Sequence, residues 1–223
     1  QPGRRQQLAA VTLLYEFGQE AGNGYLYLAG TALAQEVVLE PGYYGSPIPT
    51  EQINPTKLAA VICTYKREDY VKRNLQHLNQ SIFAQPEQEI ADHLEVFVVD
   101  NGKTLHKEEI ETKQIRLFPN KNCGGSGGFT RGIIEALRRK EEFSHVLLMD
   151  DDILLESNIL IKTIRFLQIL RPEHQDLAIG GSMLRLDQMN VQHEAGGKWT
   201  GLTVHSILPD LDFIKQDNLI QME

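Results

Sequence analysis

HVLLMDDDILLESNILIKTIRFLQIL, residues 145–170, decides the fold. Four apolar residues, Val146 to Met149, run without alternation into three aspartates, as in a strand covered on both faces. From Ser157 onward, Leu160, Ile164 and Leu167 recur at the spacing of a helix with one buried face. Strand, acidic turn and helix make one βα unit, and the same unit repeats upstream. LAAVICTY (58–65) predicts a strand, REDYVKRNLQHLNQSI (67–82) a helix with Val71, Leu75 and Leu78 on one face, and LEVFVVDNG (94–102) a second strand. QIRLFP (114–119) predicts a third, and NCGGSGGFTRGIIEALRRK (122–140) a glycine loop opening a helix with apolar Phe129, Ile133 and Leu137. Downstream, LAIGGSML (177–184) predicts a further strand. The fold class is therefore α/β, a mostly parallel sheet flanked by helices, which binds ligands at the carboxyl ends of its strands.

Residues 1–50 differ. AAVTLLYEF (9–17) and GYLYLAGTAL (24–33), separated by GQEAGNG, read as a β hairpin, and PGYYGSPIPTEQINP (41–55) as a linker. The division expected is a β-rich segment over 1–50, the end of an N-terminal β domain, and an α/β domain over 56–223. The 223 residues carry 22 Lys and Arg against 30 Asp and Glu, a net charge of -8, which argues against a nucleic-acid partner. Two cysteines without CxxC spacing, Cys63 and Cys123, argue against a disulfide framework and a structural zinc site. No run approaches about eighteen apolar residues, and QPGRRQQL lacks the apolar core of a signal peptide. A cytoplasmic setting is expected, and peripheral membrane contact is compatible with it.

In a parallel sheet the ends CTYKRED, DNG and DDD fall along one edge. Side chains alternate along a strand, so Asp150 and Asp152 share a side and two carboxylates face one point. A hard divalent cation, Mg²⁺ or Mn²⁺, bridging to phosphate relieves their repulsion; the alternative is a solvated turn capping the next helix. An EF-hand is excluded because Leu155 stands at its glycine position, and an aspartyl-phosphate phosphatase because Ile153 and Leu154 follow Asp152. The glycine loop matches neither a P-loop nor the dinucleotide-binding register. Gly124, Gly125, Gly127 and Gly128 permit close backbone approach at a helix start that favours an anion, or crowd the loop against a neighbouring strand. Arg131 in the first turn is explained by a diphosphate or acceptor nearby. Thr64, Arg67 and Asp100 together suit a nucleoside, Asp100 accepting from base or ribose and Arg67 facing the base or a phosphate; alone, a strand-end Asp is often a turn former.

AVICTYKRED (60–69), VFVVDNG (96–102), NKNCGGSGGFTRG (120–132) and VLLMDDDI (146–153), in that order, resemble the family 2 inverting glycosyltransferases of the GT-A fold. Within them, the loop and triplet are most similar to the bacterial galactofuranosyltransferases and related rhamnosyltransferases. The resemblance spans roughly 58–199. It implies a GT-A domain over 56–223 and a nucleotide-sugar donor, most commonly UDP-linked, with Thr64, Arg67, Asp100 and Asp150 at the nucleotide. It places Asp150 and Asp152 at an Mn²⁺ or Mg²⁺ ion, and Asn122, Gly124, Gly125, Ser126, Gly127, Gly128 and Arg131 in a loop at the donor or acceptor. A glycan or lipid-linked glycan acceptor is implied, in cell-wall or polysaccharide synthesis, at the inner face of the membrane. The similar enzymes carry their catalytic base before a tryptophan pair, and a later histidine at the metal. This sequence has Trp199 alone; Asp187, Glu194, Asp210 and Asp212 do not match, and neither His193 nor His205 is carried over. The base is expected beyond Glu223, so the chain reads as a fragment. A nucleotidyltransferase and a nucleotide-sugar-binding module inactive in transfer are the rival readings.

Overall fold

The computed structural model describes residues 48–85, 89–215 and 217–218. They fall into two units, one over 43–179 and one that holds 180–223. The β-rich reading of residues 1–50 lies, apart from 48–50, outside the described residues.

In the first unit four strands, β1 (Leu58–Thr64), β2 (Leu94–Asp100), β3 (Ile115–Pro119) and β4 (His145–Asp150), form a parallel sheet in the order β3-β2-β1-β4. Helices α1 (Glu68–Leu78), α2 (Lys107–Ile110), α3 (Gly124–Arg138) and α4 (Ser157–Ile169) connect and flank them. This is the α/β architecture expected of a GT-A domain. Alternate residues of β1 serve opposite faces. Leu58, Ala60 and Ile62 join Val96, Val98 and Met149 in a core sealed by Val71, Leu75 and Leu78 of α1 and Leu160 and Ile164 of α4. Ala59 and Val61 join Phe97, Val99, Ala136 and Phe143 on the other face, where Phe118 and Phe143 meet Phe97 edge to face at 5.2 and 5.4 Å. The end of the linker is tied to α4: Asn54 Nδ2 donates to the carbonyls of Leu170 (2.6 Å) and Leu167 (3.2 Å).

Helix α3 departs from the sequence reading in two ways. The glycines from Gly124 onward are its first turns, not a loop before it. Its buried face is Gly128, Gly132 and Ala136, whereas Leu137 is 61% exposed. The cause is close approach to β1. A Cβ on Gly128 would stand 2.1 Å from Cys63 Sγ, and one on Gly132 2.2 Å from Val61 Cγ1. A stripe of small residues at i, i+4 and i+8 thus takes the centre of the expected apolar face, of which Phe129 still packs against the core.

At the amino ends of the strands, buried Glu95 accepts from Arg139 Nη1 and Nη2 at 2.7 and 3.0 Å, with Arg116 Nε at 3.4 Å and Lys57 Nζ at 3.6 Å. Arg139 also donates to Glu142 at 2.6 and 2.9 Å and lies 4.9 Å above the Phe143 ring.

The second unit contains β5 (Met183–Leu184), β6 (Val191–Glu194), β7 (Gly196–Trp199), β8 (Val204–Ile207) and β9 (Leu211–Asp212). These form an antiparallel sheet β5-β6-β9 and a β7-β8 hairpin. The strand expected over 177–184 does not extend the parallel sheet: only Met183 and Leu184 are extended, antiparallel to β6. Gly180 and Gly181 interrupt that run with no side chain to pack, and nothing lies within 4 Å of a Cβ built on either. Among the described residues no helix is long and apolar enough to cross a membrane.

Candidate functional site

Register brings the predicted strand ends together. Cys63 pairs with Val99 on one side and Asp150 on the other, Thr64 pairs with Asp100, and Asp100 pairs with Pro119. Along the acidic triplet the alternation holds: Asp150 and Asp152 are exposed, and Asp151 between them is 6% exposed. Thr64 Oγ1 donates to Asp151 Oδ2 at 2.7 Å, and Asn74 Nδ2 of α1 donates to the Asp151 carbonyl at 2.9 Å. Asp151 and Asn74, given no role of their own in the sequence reading, are therefore what fix the turn. The period of two that paired Asp150 with Asp152 also sends Asp151 inward, and that signal was present in the sequence. Arg67, just before α1, closes on Asp152 Oδ2 and lies 3.5 Å from Asp151 Oδ1. Thr64, Arg67 and the triplet thus meet as expected. Burial, then the negative charges of Asp151 and Asp150, push the Cys63 thiol up, which favours its protonated form.

Asp100 occupies the expected strand end but takes a different part. It is 0% exposed, and both oxygens are filled by backbone amides: Oδ1 by Gly102 (2.8 Å) and Lys103 (2.9 Å), Oδ2 by Thr104 (2.7 Å) and Leu105 (2.8 Å). A carboxylate with about four acceptor positions has none left for a nucleoside. Asp100 therefore shapes the 101–105 loop, where Lys103 is held at φ 54°, instead of accepting from base or ribose. That loop abuts the one after β1, since a Cβ on Gly102 would lie 3.2 Å from the Lys66 amide nitrogen.

The start of α3 completes the edge. Gly124 has φ +71°, a left-handed conformation that suits glycine, and its N–H donates to Asn122 Oδ1 at 3.0 Å. Asn122, Gly124, Gly125 and Ser126 are exposed, and Gly127 is half-buried. Gly128 faces Cys63 beneath the helix, so close packing accounts for it. Arg131 donates to Glu135 Oε1 at 2.7 Å, with its guanidinium 5.9 Å from the Phe118 ring, so an ion pair along the helix accounts for its place in the first turns.

Among the described residues no three His, Cys, Asp or Glu side chains are grouped to hold a metal ion. Asp150 and Asp152, exposed on either side of Asp151, could supply two carboxylates. One or two carboxylates are the usual protein share for Mg²⁺, with substrate phosphates and water completing the octahedron, so this donor set fits such an ion. In the second unit a hollow is lined by Met183, Leu184, Arg185, Leu186, Asp187, His193 and Asp210. It contains none of the predicted residues, and Arg185 there is paired with Asp187 (2.8 Å) and Asp210 (3.2 Å).

Comparison with known proteins finds relatives. The galactofuranosyltransferase GlfT2 of Mycobacterium tuberculosis is 34% identical over 83 residues, which are 37% of this chain and 12% of that protein. The galactofuranosyltransferase GlfT2 of Mycolicibacterium smegmatis is 36% identical over 75 residues, 34% of this chain and 11% of that protein. The similarity thus spans about an eighth or less of either relative's length. The profile of the glycosyltransferase-like family 2 matches residues 55–208, the parallel sheet and all of its strand-end motifs included. The chain belongs to glycosyltransferase family 2.

Proposed function

We propose that the chain supplies the donor-binding part of a transferase that moves a galactofuranose- or rhamnose-like sugar from a UDP-linked donor to a glycan or lipid-linked glycan acceptor, with inversion and with metal assistance. The observation that carries this reading is the meeting of Thr64, Arg67 and the acidic triplet at the carboxyl ends of β1 and β4. The names of the two similar proteins support galactofuranose over the other sugars.

Under this reading Asp150 and Asp152 would hold the divalent ion. When bound, it takes up charge on the departing diphosphate. Asp151, tied to Thr64 and Asn74, keeps its neighbours at the surface of the crevice. Arg67 sits where a guanidinium can turn from Asp152 to a phosphate oxygen, and Tyr70 lies 5.9 Å from it. The first turn of α3 presents exposed backbone at Gly125 and Ser126 to an anionic or sugar group. None of the described residues is assigned as the base.

A panel of UDP- and dTDP-linked sugars titrated in Mn²⁺ tests the donor class. Saturable binding of UDP-galactofuranose, with the dTDP-sugars at least about tenfold weaker, is the expected result. Equal, weak binding across the panel contradicts it.

A further inference from the structure

The start of α3 is held by a side-chain relay that the donor reading does not use. Asn101, the residue after Asp100, is 5% exposed. Its Nδ2 donates to the carbonyl of Gly124 at 3.1 Å, and its Oδ1 accepts from Asn120 Nδ2 at 2.9 Å. The backbone fixes both asparagines. Asn101 N–H donates to the Thr64 carbonyl and Asn120 N–H to the Asp100 carbonyl, each at 2.9 Å. The ends of β1, β2 and β3 are thereby linked through two carboxamides to the one residue of α3 in the left-handed region. Space is matched as well: a Cβ on Gly128 would stand 3.1 Å from Asn101 Nδ2, so the missing side chain is what lets the helix come down onto the carboxamide.

We propose that Asn101, oriented by Asn120, is a positioning residue of the donor site. It sets the height and angle at which the Asn122–Ser126 backbone stands over the strand ends, and so the distance from that backbone to a ligand held at Asp150 and Asp152. This rests on the donor-site reading above. The physical case is one of accounting for a carbonyl. The Gly124 carbonyl lies in the first turn, and a side chain anchored in the sheet competes with solvent and with the helix for it. A buried hydrogen bond in a closed network resists displacement more than an exposed one. A helix start rich in glycine has few side chains of its own to lock its position, Phe129 packing only one turn further on, and the relay supplements them at Gly124.

Asn101→Leu and Asn120→Leu, of the same branched shape and without hydrogen-bonding groups, remove the relay from either end. Amide hydrogen exchange followed by fragment, together with calorimetric titration of UDP in Mn²⁺, reads the effect. Both variants are expected to exchange about tenfold faster over 122–128 while β1 and β2 keep their protection, and to bind UDP about fivefold or more weakly. Exchange that rises equally across the sheet overturns the proposal, because the relay would then serve only global stability. Unchanged exchange over 122–128 overturns it too, as does faster exchange with unaltered UDP affinity. If the wild-type chain bound no UDP, the donor-site reading would fail, and exchange over 122–128 would still decide whether Asn101 seats the helix.

Discussion

The two ends of the parallel sheet carry the same kinds of residue and use them oppositely. At the amino end, buried Glu95 is surrounded by Arg139, Arg116 and Lys57, and Arg139 is shared with Glu142. Each charge there has a partner of opposite sign within the chain. At the carboxyl end, Asp150, Asp151 and Asp152 stand together, with Arg67 as the cation seen against them. Three carboxylates against one guanidinium leave negative potential facing solvent, which costs stability and attracts a cation. The difference teaches where to look for function in such a sheet. The fully paired cluster maintains the fold, and the unbalanced one is where the proposed ligand would sit.

That contrast is broken most forcefully at Arg139. Replacing it by Met keeps apolar contact with the Phe143 ring but leaves Glu95 with its weaker partners, Arg116 and Lys57. Removing one member of a buried pair strands the other, so urea unfolding of Arg139→Met is expected to show a loss of about 2–3 kcal/mol. A loss no greater than that of an ordinary surface substitution would make the two ends alike.

A smaller effect is expected from pH. Burial pushes the Glu95 carboxyl up, but the hydrogen bond and charge of Arg139, with Lys57 and Arg116, outweigh this and hold it below the usual value. A carboxyl depressed in the folded state contributes stability above its unfolded pKa of about 4.3 and loses it as pH falls through the lower folded value. Wild-type stability should thus be level from about pH 7 to 5 and fall below about pH 4. Glu95→Gln should lose stability at neutral pH and show a shallower acid limb than the wild type. Parallel acid limbs for the two proteins would remove Glu95 from the account.

Much of this was legible in the sequence because the signals were local. The continuous apolar runs of β1 and β2 and the spacing of Val71, Leu75 and Leu78 or Leu160, Ile164 and Leu167 name their elements and faces directly, whereas β4, expected to be covered on both faces, is the edge strand, with Val146 36% and Leu148 49% exposed. The seating of α3 was not, since a glycine that admits a ligand and a glycine that admits a neighbouring strand are the same residue. Only the tertiary distance from Gly128 and Gly132 to β1 separates them. Asp100 failed for a similar reason: a strand-end carboxylate can face a ligand or its own loop, and four backbone amides decide for the loop. The second unit was hardest to read, because its strands are two to four residues long and β7 and β8 are largely exposed, too short for a periodic pattern to register.

The central claim is that the unbalanced end binds a cation together with a nucleotide diphosphate, and Asp152→Asn tests it most directly. The substitution keeps size and removes one charge, and both Asp152 and its partner Arg67 are about half exposed, so the unfolding midpoint should hardly move. Calorimetric titration with UDP in Mn²⁺, repeated in chelator, then separates ligand binding from folding. The account predicts that UDP affinity in Mn²⁺ falls at least about tenfold in the variant, as expected for a lost charge-assisted contact, while affinity in chelator stays the same or improves. Equal, metal-independent UDP affinity in the two proteins would contradict it.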